Sequence, residues 1–488
     1  MTDTVDLLII GGGVNGTAIA RAAAPAGQRV LLVEQGDLAQ ATSSASTKLM
    51  HGGLRYLEHY EFKLVHESLK ERGIMLRMAP HIVRPLEFRL PHAPSMRPWP
   101  IVRIGLWLYD LLAIGGGLPR SRSIRIDDPG LKPGSGRGFS YWDGQVDDAR
   151  LVVLNALDAQ ANGAEIATRT RFFSARAEKG IWTAELQHGR SVRAGTIVNA
   201  AGPWVDRVLR QEVDLTPRGN VRLVRGSHIV VPRCLEGDHA WLLQQPDGRI
   251  VFAIPWFEDF TLIGTTDFTV ERPEEDTICD AETDYILAAA NLYLTKPLAR
   301  VDIVHSFAGI RPLFDDGTSS ASKVTRDYRL ELDTARAPIL SVFGGKITTA
   351  RHLAEEVLGK LGIARGLTEA RPLPGGDLAD FTTFLAQVHR DWPFLDAFTA
   401  KRMAQAYGTR IGQVLGDAKA PEDLGQDFGL GLTVREVDYL VANEWAVTAE
   451  DVLWRRTKLG LRFTAEQAAG LHAYLGEGED GALAHRAH

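Results

Sequence analysis

The stretch Leu7–Glu34 reads LLIIGGGVNGTAIARAAAPAGQRVLLVE. Its apolar run Leu7–Ile10 has the composition of a buried parallel strand. The run enters Gly11-x-Gly13-x-x-Gly16, continues into an Ala-rich helix, and returns through a second apolar run, Val30–Val33, that ends at Glu34. Gly11 permits a tight turn, Gly13 lets the backbone approach a pyrophosphate, and Gly16 lets the helix pack close to the sheet. The first turn of such a helix offers free N–H groups to phosphate. Glu34 falls 18 residues after Gly16, near the position where an acid hydrogen-bonds the hydroxyls of an adenosine ribose. In a chain with 48 glycines the spacing alone carries little weight. Strand, glycines, helix, strand and acid in register point to an ADP-containing dinucleotide.

Composition bounds the rest. The chain has 488 residues, 45% apolar and 24% charged, which is globular material for one large or two to three smaller domains. The net charge of −6 argues against a general nucleic-acid binder, whose domains tend to be basic. Cys234 and Cys279 are the only cysteines, too few for a disulfide framework or a Cys-based metal site, as expected in a reducing cytosol. The opening MTDTVD leads straight into the first strand, so no signal peptide is expected. Residues 100–114, PIVRIGLWLYDLLAI, are too short for a spanning helix and carry Arg103 and Asp110. The expectation there is a helix buried on most sides, with a membrane-interface role as the alternative.

A nicotinamide dehydrogenase usually completes its nucleotide fold promptly with further βα units. Here Glu34 is followed by a small polar loop, Ala41–Met50 (ATSSASTKLM), and then by His51-Gly52-Gly53-Leu54-Arg55-Tyr56. Helices are predicted over about 61–78 and 147–162, the second with Asp147 and Asp148 at its N-terminus. Strands are predicted over 164–170 and 196–200, the latter running into Ala201-Gly202-Pro203-Trp204. Residues from about 221 to 340 are strand-rich, with 227–231, 250–254 and 260–263 suited to a mixed or antiparallel sheet. A last strand, 339–343, leads into Gly344-Gly345-Lys346-Ile347-Thr348-Thr349 and a helix to about 361. Beyond the turn Arg371–Gly376 the composition is helical, and Thr433-x-x-Glu436 and Thr464-x-x-Gln467 read as capping boxes. Strand–glycine turns this dispersed suit a flavoprotein in which FAD lies extended and distant loops grip it.

The blocks IGGGVNGTAIARAAA, LAQATSSASTKLMHGGLRYLEHYEFKLV, VNAAGPWVD, VRGSHIVVP, IPWFEDFTLIGTTD, GIRPL and SVFGGKITT are strung along the first three-quarters of the chain. EDLGQDFG and EDVLWRRTKLGL follow in the tail. Together they resemble the FAD-dependent glycerol-3-phosphate dehydrogenases of bacterial respiratory chains. The resemblance implies an α/β fold: a Rossmann-type FAD-binding domain, an interleaved mixed or antiparallel-sheet substrate domain, and a C-terminal all-helical domain. The expected division is 1–375 and 376–488. FAD-binding parts fall at about 1–80, 145–220 and 335–365, and substrate parts at about 81–144 and 221–334. The implied reaction is oxidation of sn-glycerol 3-phosphate to dihydroxyacetone phosphate, with FAD taking a hydride and a membrane quinone reoxidising it. The implied location is the cytoplasmic face of the inner membrane, peripherally attached; the resemblance also admits a homodimer.

The chemistry requires a base for the hydroxyl proton and cationic donors for the phosphate. His51, in the His-Gly-Gly loop, and His228, at a strand start, are the base candidates; the sequence leaves the choice between them open. Arg55, Arg311 and Arg326 are the expected phosphate contacts, with Lys346 nearby. Tyr56, Thr266 and Asp267 are expected to line the substrate pocket, and His228, Arg311 and Arg55 to act in catalysis with His51. For FAD the expected contacts in the nucleotide fold are Gly11, Gly13, Val14, Asn15, Gly16, Glu34 and Gln35. From the next loop come Thr42, Ser43, Ser44, Lys48, Leu49, Gly52 and Gly53. Ala200, Gly202 and Trp204 form a third group, and Gly345, Lys346, Ile347 and Thr348 a fourth. The last opens a helix whose amides and lysine would stabilise negative charge on reduced flavin. No metal is expected. For membrane contact, residues 96–108 and the basic positions Lys360, Arg365 and Arg371 are candidates. For Trp454–Lys458 a role in stabilising the helical domain is expected over one at lipid headgroups. An oxidase of the same substrate using oxygen, an amine or amino-acid oxidase of the same fold, and a non-catalytic nucleotide-binding protein are the alternative readings.

Overall fold

A computed structural model describes residues 3–92, 97–134, 136–215, 221–314 and 327–476. The apolar runs flanking the glycine turn form neighbouring strands, Asp3–Ile10 and Val30–Val33, with the helix Val14–Ala23 between them in sequence. They lie in a sheet whose parallel strands run, in order, Ile339–Phe343, Ser191–Asn199, Asp3–Ile10, Val30–Val33 and Glu165–Ala167. Arg329–Asp333 adds an antiparallel edge, and Phe172–Glu178 with Ile181–Leu186 forms a hairpin on the Ser191 strand. Both faces of the sheet are covered. The helices Val14–Ala23, Asp148–Ala161 and Ala350–Lys360 contribute to the core on one side. The hairpin and the segment around Val205–Val213 cover the other.

Register makes this sheet a platform. Ile10 stands opposite Asn199 and Val33, Val33 opposite Ala167, and Asn199 opposite Ser341. The carboxyl ends of these strands are therefore nearly level. Gly11, Glu34, Ala200 and the Gly344 turn leave the sheet along one edge, the edge where open parallel sheets bind ligands.

The second sheet is mixed and mostly antiparallel, running from Phe268–Val270 through Val221–Pro232, Phe260–Gly264, Ile250–Trp256 and Ala240–Gln244 to Val83–Pro91, Arg137–Val146 and Leu49–Met50. His305–Phe314 pairs over its full length with residues 221–230 of Val221–Pro232. The short strand Leu49–Met50 carries the chain from the polar loop into this sheet. That link joins the nucleotide fold to the substrate side.

From Phe381 onward the described chain is helical around its own core, Val388 to Leu471. Buried ion pairs fasten it to the rest. Arg150 binds Glu444 with both side chains essentially inaccessible, and Arg455 and Arg456 converge on Asp37 at 2.5 and 2.7 Å. Removing one partner from a buried pair strands the other charge, so such contacts specify how two units meet.

Two expectations are corrected here. The helix over Trp99–Leu112 buries only Leu106 and Tyr109 fully; Ile104 and Trp107 are 62% and 58% exposed, and Ile101, Leu111 and Ile114 are also exposed. Its apolar pattern is thus not that of a helix enclosed by core. Thr433 is an N-cap without a side-chain cap bond, and the Glu436 carboxylate, the other half of the expected box, is drawn instead to Arg402 and to the Tyr407 hydroxyl, at 2.6–2.7 Å. The Thr464–Gln467 capping box forms. Arg455 and Arg456 within Trp454–Lys458 are buried, and Arg371 donates to Asp158 at 2.8 Å.

Candidate functional site

The nucleotide end is built by close contact. A Cβ at Gly11, whose φ is +112°, would stand 2.5 Å from the Ala200 carbonyl oxygen, and one at Gly16 would stand 1.9 Å from that of Gly11. Glycine is required at both, for turn and packing respectively. Glu34 accepts hydrogen bonds from the Gly12 and Gly36 amides at 2.7 and 2.8 Å, which holds its carboxylate beside the glycine turn. Ser43 accepts from the Val14 amide at 2.9 Å, so the polar loop lies against the start of the helix. Asn15 donates to the Gly344 carbonyl at 3.1 Å, tying that helix start to the distant 344–349 turn. Its Oδ1 is buried without a hydrogen-bond partner among the described residues. Gly13 caps the helix with extended backbone and makes no side-chain cap bond of its own. Glycine cradle, orphaned amide oxygen and acid together fit an extended dinucleotide.

The substrate end is assembled from four separate pieces of chain. Thr42 donates to the Ile310 carbonyl at 2.7 Å, Thr47 Oγ1 lies 3.0 Å from His228 Nε2, and the His51 amide donates to Thr348 Oγ1 at 3.3 Å. The 42–51 loop thereby touches the Gly309–Leu313 motif, the Gly226–Ile229 motif and the 344–349 turn. His51 is half-buried. His228 is 1% exposed and stacks on Phe307 with ring centroids 5.0 Å apart. Burial, then the charges of Arg311 and Lys48, pull its pKa well below the ordinary histidine value. A Cβ at Gly264 would lie 2.3 Å from the His228 ring, so the glycine of Ile263-Gly264-Thr265 makes room for it.

Arg311 donates to Asp267 at 2.7 Å, to the Thr266 carbonyl at 3.2 Å and to Thr265 Oγ1 at 3.0 Å, with its side chain 24% exposed. Gly226 leaves the space beside its guanidinium. Asp267 is therefore at the site through Arg311. Thr266 contributes its carbonyl, while its hydroxyl is buried against Glu282 and the Ser227 amide at 2.6 and 2.9 Å. Lys346 lies 4.2 Å from the centre of the Tyr56 ring. Arg55 lies in the 3-10 turn Leu54–His59; Arg326 falls outside the described residues.

Lys48 is buried, with its ammonium on Asp148 at 2.6 Å and on the Ser44 carbonyl. That pairing fixes the loop. A cavity of about 380 Å³ adjoins the loop, lined by Thr42, Ser44, Lys48 and Trp204 together with His305, Phe307, Trp454 and Lys458. It shares four positions with the expected cofactor set, but not the glycine turn, His51, His228 or Arg311. Sequence reasoning overlooked Thr47, Thr265, Gly226 and Gly264. The glycines within GSHI and IGTT were their signal: each sits where a neighbouring ring or guanidinium needs space.

Residues 6–351 match the family model described as FAD dependent oxidoreductase, and residues 367–473 match the C-terminal domain of alpha-glycerophosphate oxidase. The chain is 48% identical to a glycerol-3-phosphate dehydrogenase of Pseudomonas aeruginosa, over 97% of this chain and 96% of that one. The chain belongs to the FAD-dependent glycerol-3-phosphate dehydrogenase family. FAD is its cofactor and oxidoreduction its chemistry. It is also 48% identical to the D-erythritol 1-phosphate dehydrogenase of Brucella abortus, over 96% of this chain and 97% of the relative. A solved structure of the glycerol-3-phosphate dehydrogenase from Bacillus halodurans, complexed with FAD, aligns over 99% of this chain and 92% of its own, with TM-score 0.75 and 28% identity.

Proposed function

We propose that this protein oxidises sn-glycerol 3-phosphate at C2 to dihydroxyacetone phosphate and passes the electrons to a membrane quinone. The observation that carries the reading is the triple contact of the 42–51 loop with Ile310, His228 and Thr348. It supports a single site composed of the base candidates, Arg311 and the 344–349 helix start. FAD, when bound, supplies the hydride acceptor. Arg311, with Asp267 and Thr265 setting its plane, binds the substrate phosphate. His51 takes the C2 hydroxyl proton. His228 is the poorer base, because a histidine with a strongly depressed pKa gives little driving force for accepting a proton. As a neutral imidazole beside Thr47 it orients the substrate. The Gly344–Thr349 helix start, with Lys346, stabilises charge that develops on the cofactor.

Peripheral membrane attachment draws support from the outward face of Trp99–Leu112, with Arg97, Arg120 and Arg125 exposed in neighbouring segments. An exposed apolar helix face with exposed arginines nearby along the chain suits the interface of an anionic bilayer. Among the described residues no helix is long and apolar enough to cross a membrane.

The similarity to the Brucella relative favours a second reading, in which a longer polyol phosphate is the substrate. Anaerobic bleaching of the purified yellow protein by glycerol 3-phosphate, erythritol 1-phosphate and unphosphorylated glycerol separates the two. Bleaching by the first alone supports the primary reading; equal bleaching by glycerol sinks both. Reduction of a quinone analogue with little peroxide is expected under air, and stoichiometric peroxide would make the protein an oxidase.

A further inference from the structure

Behind the His-Gly-Gly loop lies a buried polar relay that the proposed chemistry does not use. The Gly52 amide donates to the Tyr109 hydroxyl at 2.9 Å. That hydroxyl lies 2.9 and 2.8 Å from the two carboxylate oxygens of Asp143. Arg72 donates to the same carboxylate at 2.6 Å and to the Trp142 carbonyl at 2.9 Å. Tyr109, Asp143 and Arg72 are each buried, 2% exposed in every case.

The hydroxyl is fully committed. Its one proton goes to the carboxylate and its lone pair receives the glycine amide. Burial, with the charge of Asp143 adding to it, pushes the phenol well above its ordinary pKa, so it remains a donor. The fit at Gly52 is close, since a Cβ there would stand 2.8 Å from the Tyr109 oxygen and 2.6 Å from Leu69. On the other side of His51, its own amide is held by Thr348. The backbone of the base candidate is thus clamped from both sides, by the 344–349 turn and by Tyr109.

We propose that Tyr109, held by Asp143 and Arg72, is a positioning residue that fixes the Gly52 amide and thereby sets where the His51 ring stands. The claim rests on His51 being the base. It also assigns a task to the inward face of the helix Trp99–Leu112, whose outward face is apolar and exposed.

The test uses the FAD-loaded full chain as wild type, Tyr109→Phe, Asp143→Asn, His51→Gln, and the double variant of Tyr109 and His51. Two readouts are taken: anaerobic flavin reduction by glycerol 3-phosphate across pH, and amide hydrogen exchange in the peptide spanning residues 49–56. Tyr109→Phe is expected to slow reduction about 10-fold at saturating substrate, since a displacement well under 1 Å is felt in such geometry. KM should hold, and exchange at 51–53 should rise. Asp143→Asn should do the same more weakly. In the His51→Gln background the tyrosine change should add no further loss. Equal losses in both backgrounds, or unaltered exchange with Tyr109→Phe, would overturn the positioning role and leave the base assignment intact. A wild-type rate for His51→Gln would sink the base assignment, and the positioning role with it.

Discussion

His51 and His228 reach the same site on opposite kinds of support. His51 stands in a loop, half-buried, with backbone amides on either side of its ring clamped by Thr348 and Tyr109. His228 stands in the middle of a sheet, stacked on Phe307, with Gly264 hollowed out beneath its ring. The difference teaches how one side-chain type takes two roles. Full burial beside Arg311 and Lys48 suppresses protonation of His228, leaving a rigid neutral hydrogen-bonding group.

Replacement of the loop histidine is expected to show the largest effect. His51→Ala should slow flavin reduction by roughly 10²–10⁴-fold, the usual range for loss of a general base, and should flatten its pH dependence. If His228→Ala flattens that dependence instead, the two roles are exchanged. Arg311→Ala should follow with a KM increase of about 10- to 100-fold, from the loss of a charged hydrogen bond worth roughly 1.5–3 kcal/mol. Steady-state kinetics with KM unmoved would remove Arg311 from the phosphate site. Gly264→Ala sharpens the contrast between loop and sheet. Its Cβ would drive the His228 ring aside, and overpacking of this kind costs about 1–3 kcal/mol. A lowered Tm with substrate affinity reduced more than FAD content is expected. A wild-type Tm and KM would show the sheet to be more yielding than argued.

The smallest effect concerns His305, which stacks on Trp454 at 4.2 Å across the contact with the helical domain. Burial, aided by Lys48, lowers its pKa from 6.5 to about 4. Between those values the unfolded chain binds the extra proton, so stability falls as pH drops through that window. His305→Phe should weaken the decline of Tm between pH 6.5 and 4. An unchanged slope would assign the acid sensitivity elsewhere, with buried His228 and His81 the next candidates.

Legibility differed sharply between the two ends of the site. At the nucleotide end, strand, glycine turn, helix and acid follow one another within a single unit of chain, and the observed strands Asp3–Ile10 and Val30–Val33 carry the expected runs. Local periodicity suffices there, because each interaction links near neighbours. The last strand, Ile339–Phe343, agrees with its expectation residue for residue, being an apolar run closed by two glycines. The helix Trp99–Leu112 misled for a physical reason. Its apolar residues do not state whether protein or something outside the chain will cover them, and only packing shows which face is left open. The partner of Lys48 was equally illegible, because Asp148 lies a hundred positions away along the chain.

Sequence alone therefore determined the dinucleotide fold, the dispersed glycine turns and the class of chemistry, since spacing and composition encode contacts between residues close along the chain. Tertiary structure alone decided that Thr47 faces His228, that Asp267 and Thr265 orient Arg311, that Tyr109 holds the Gly52 amide, and that Arg455 and Arg456 close on Asp37. Those contacts join segments tens to hundreds of residues apart. Their partners are chosen by sheet register and by the need to satisfy buried charge, neither of which is written in any local stretch of chain.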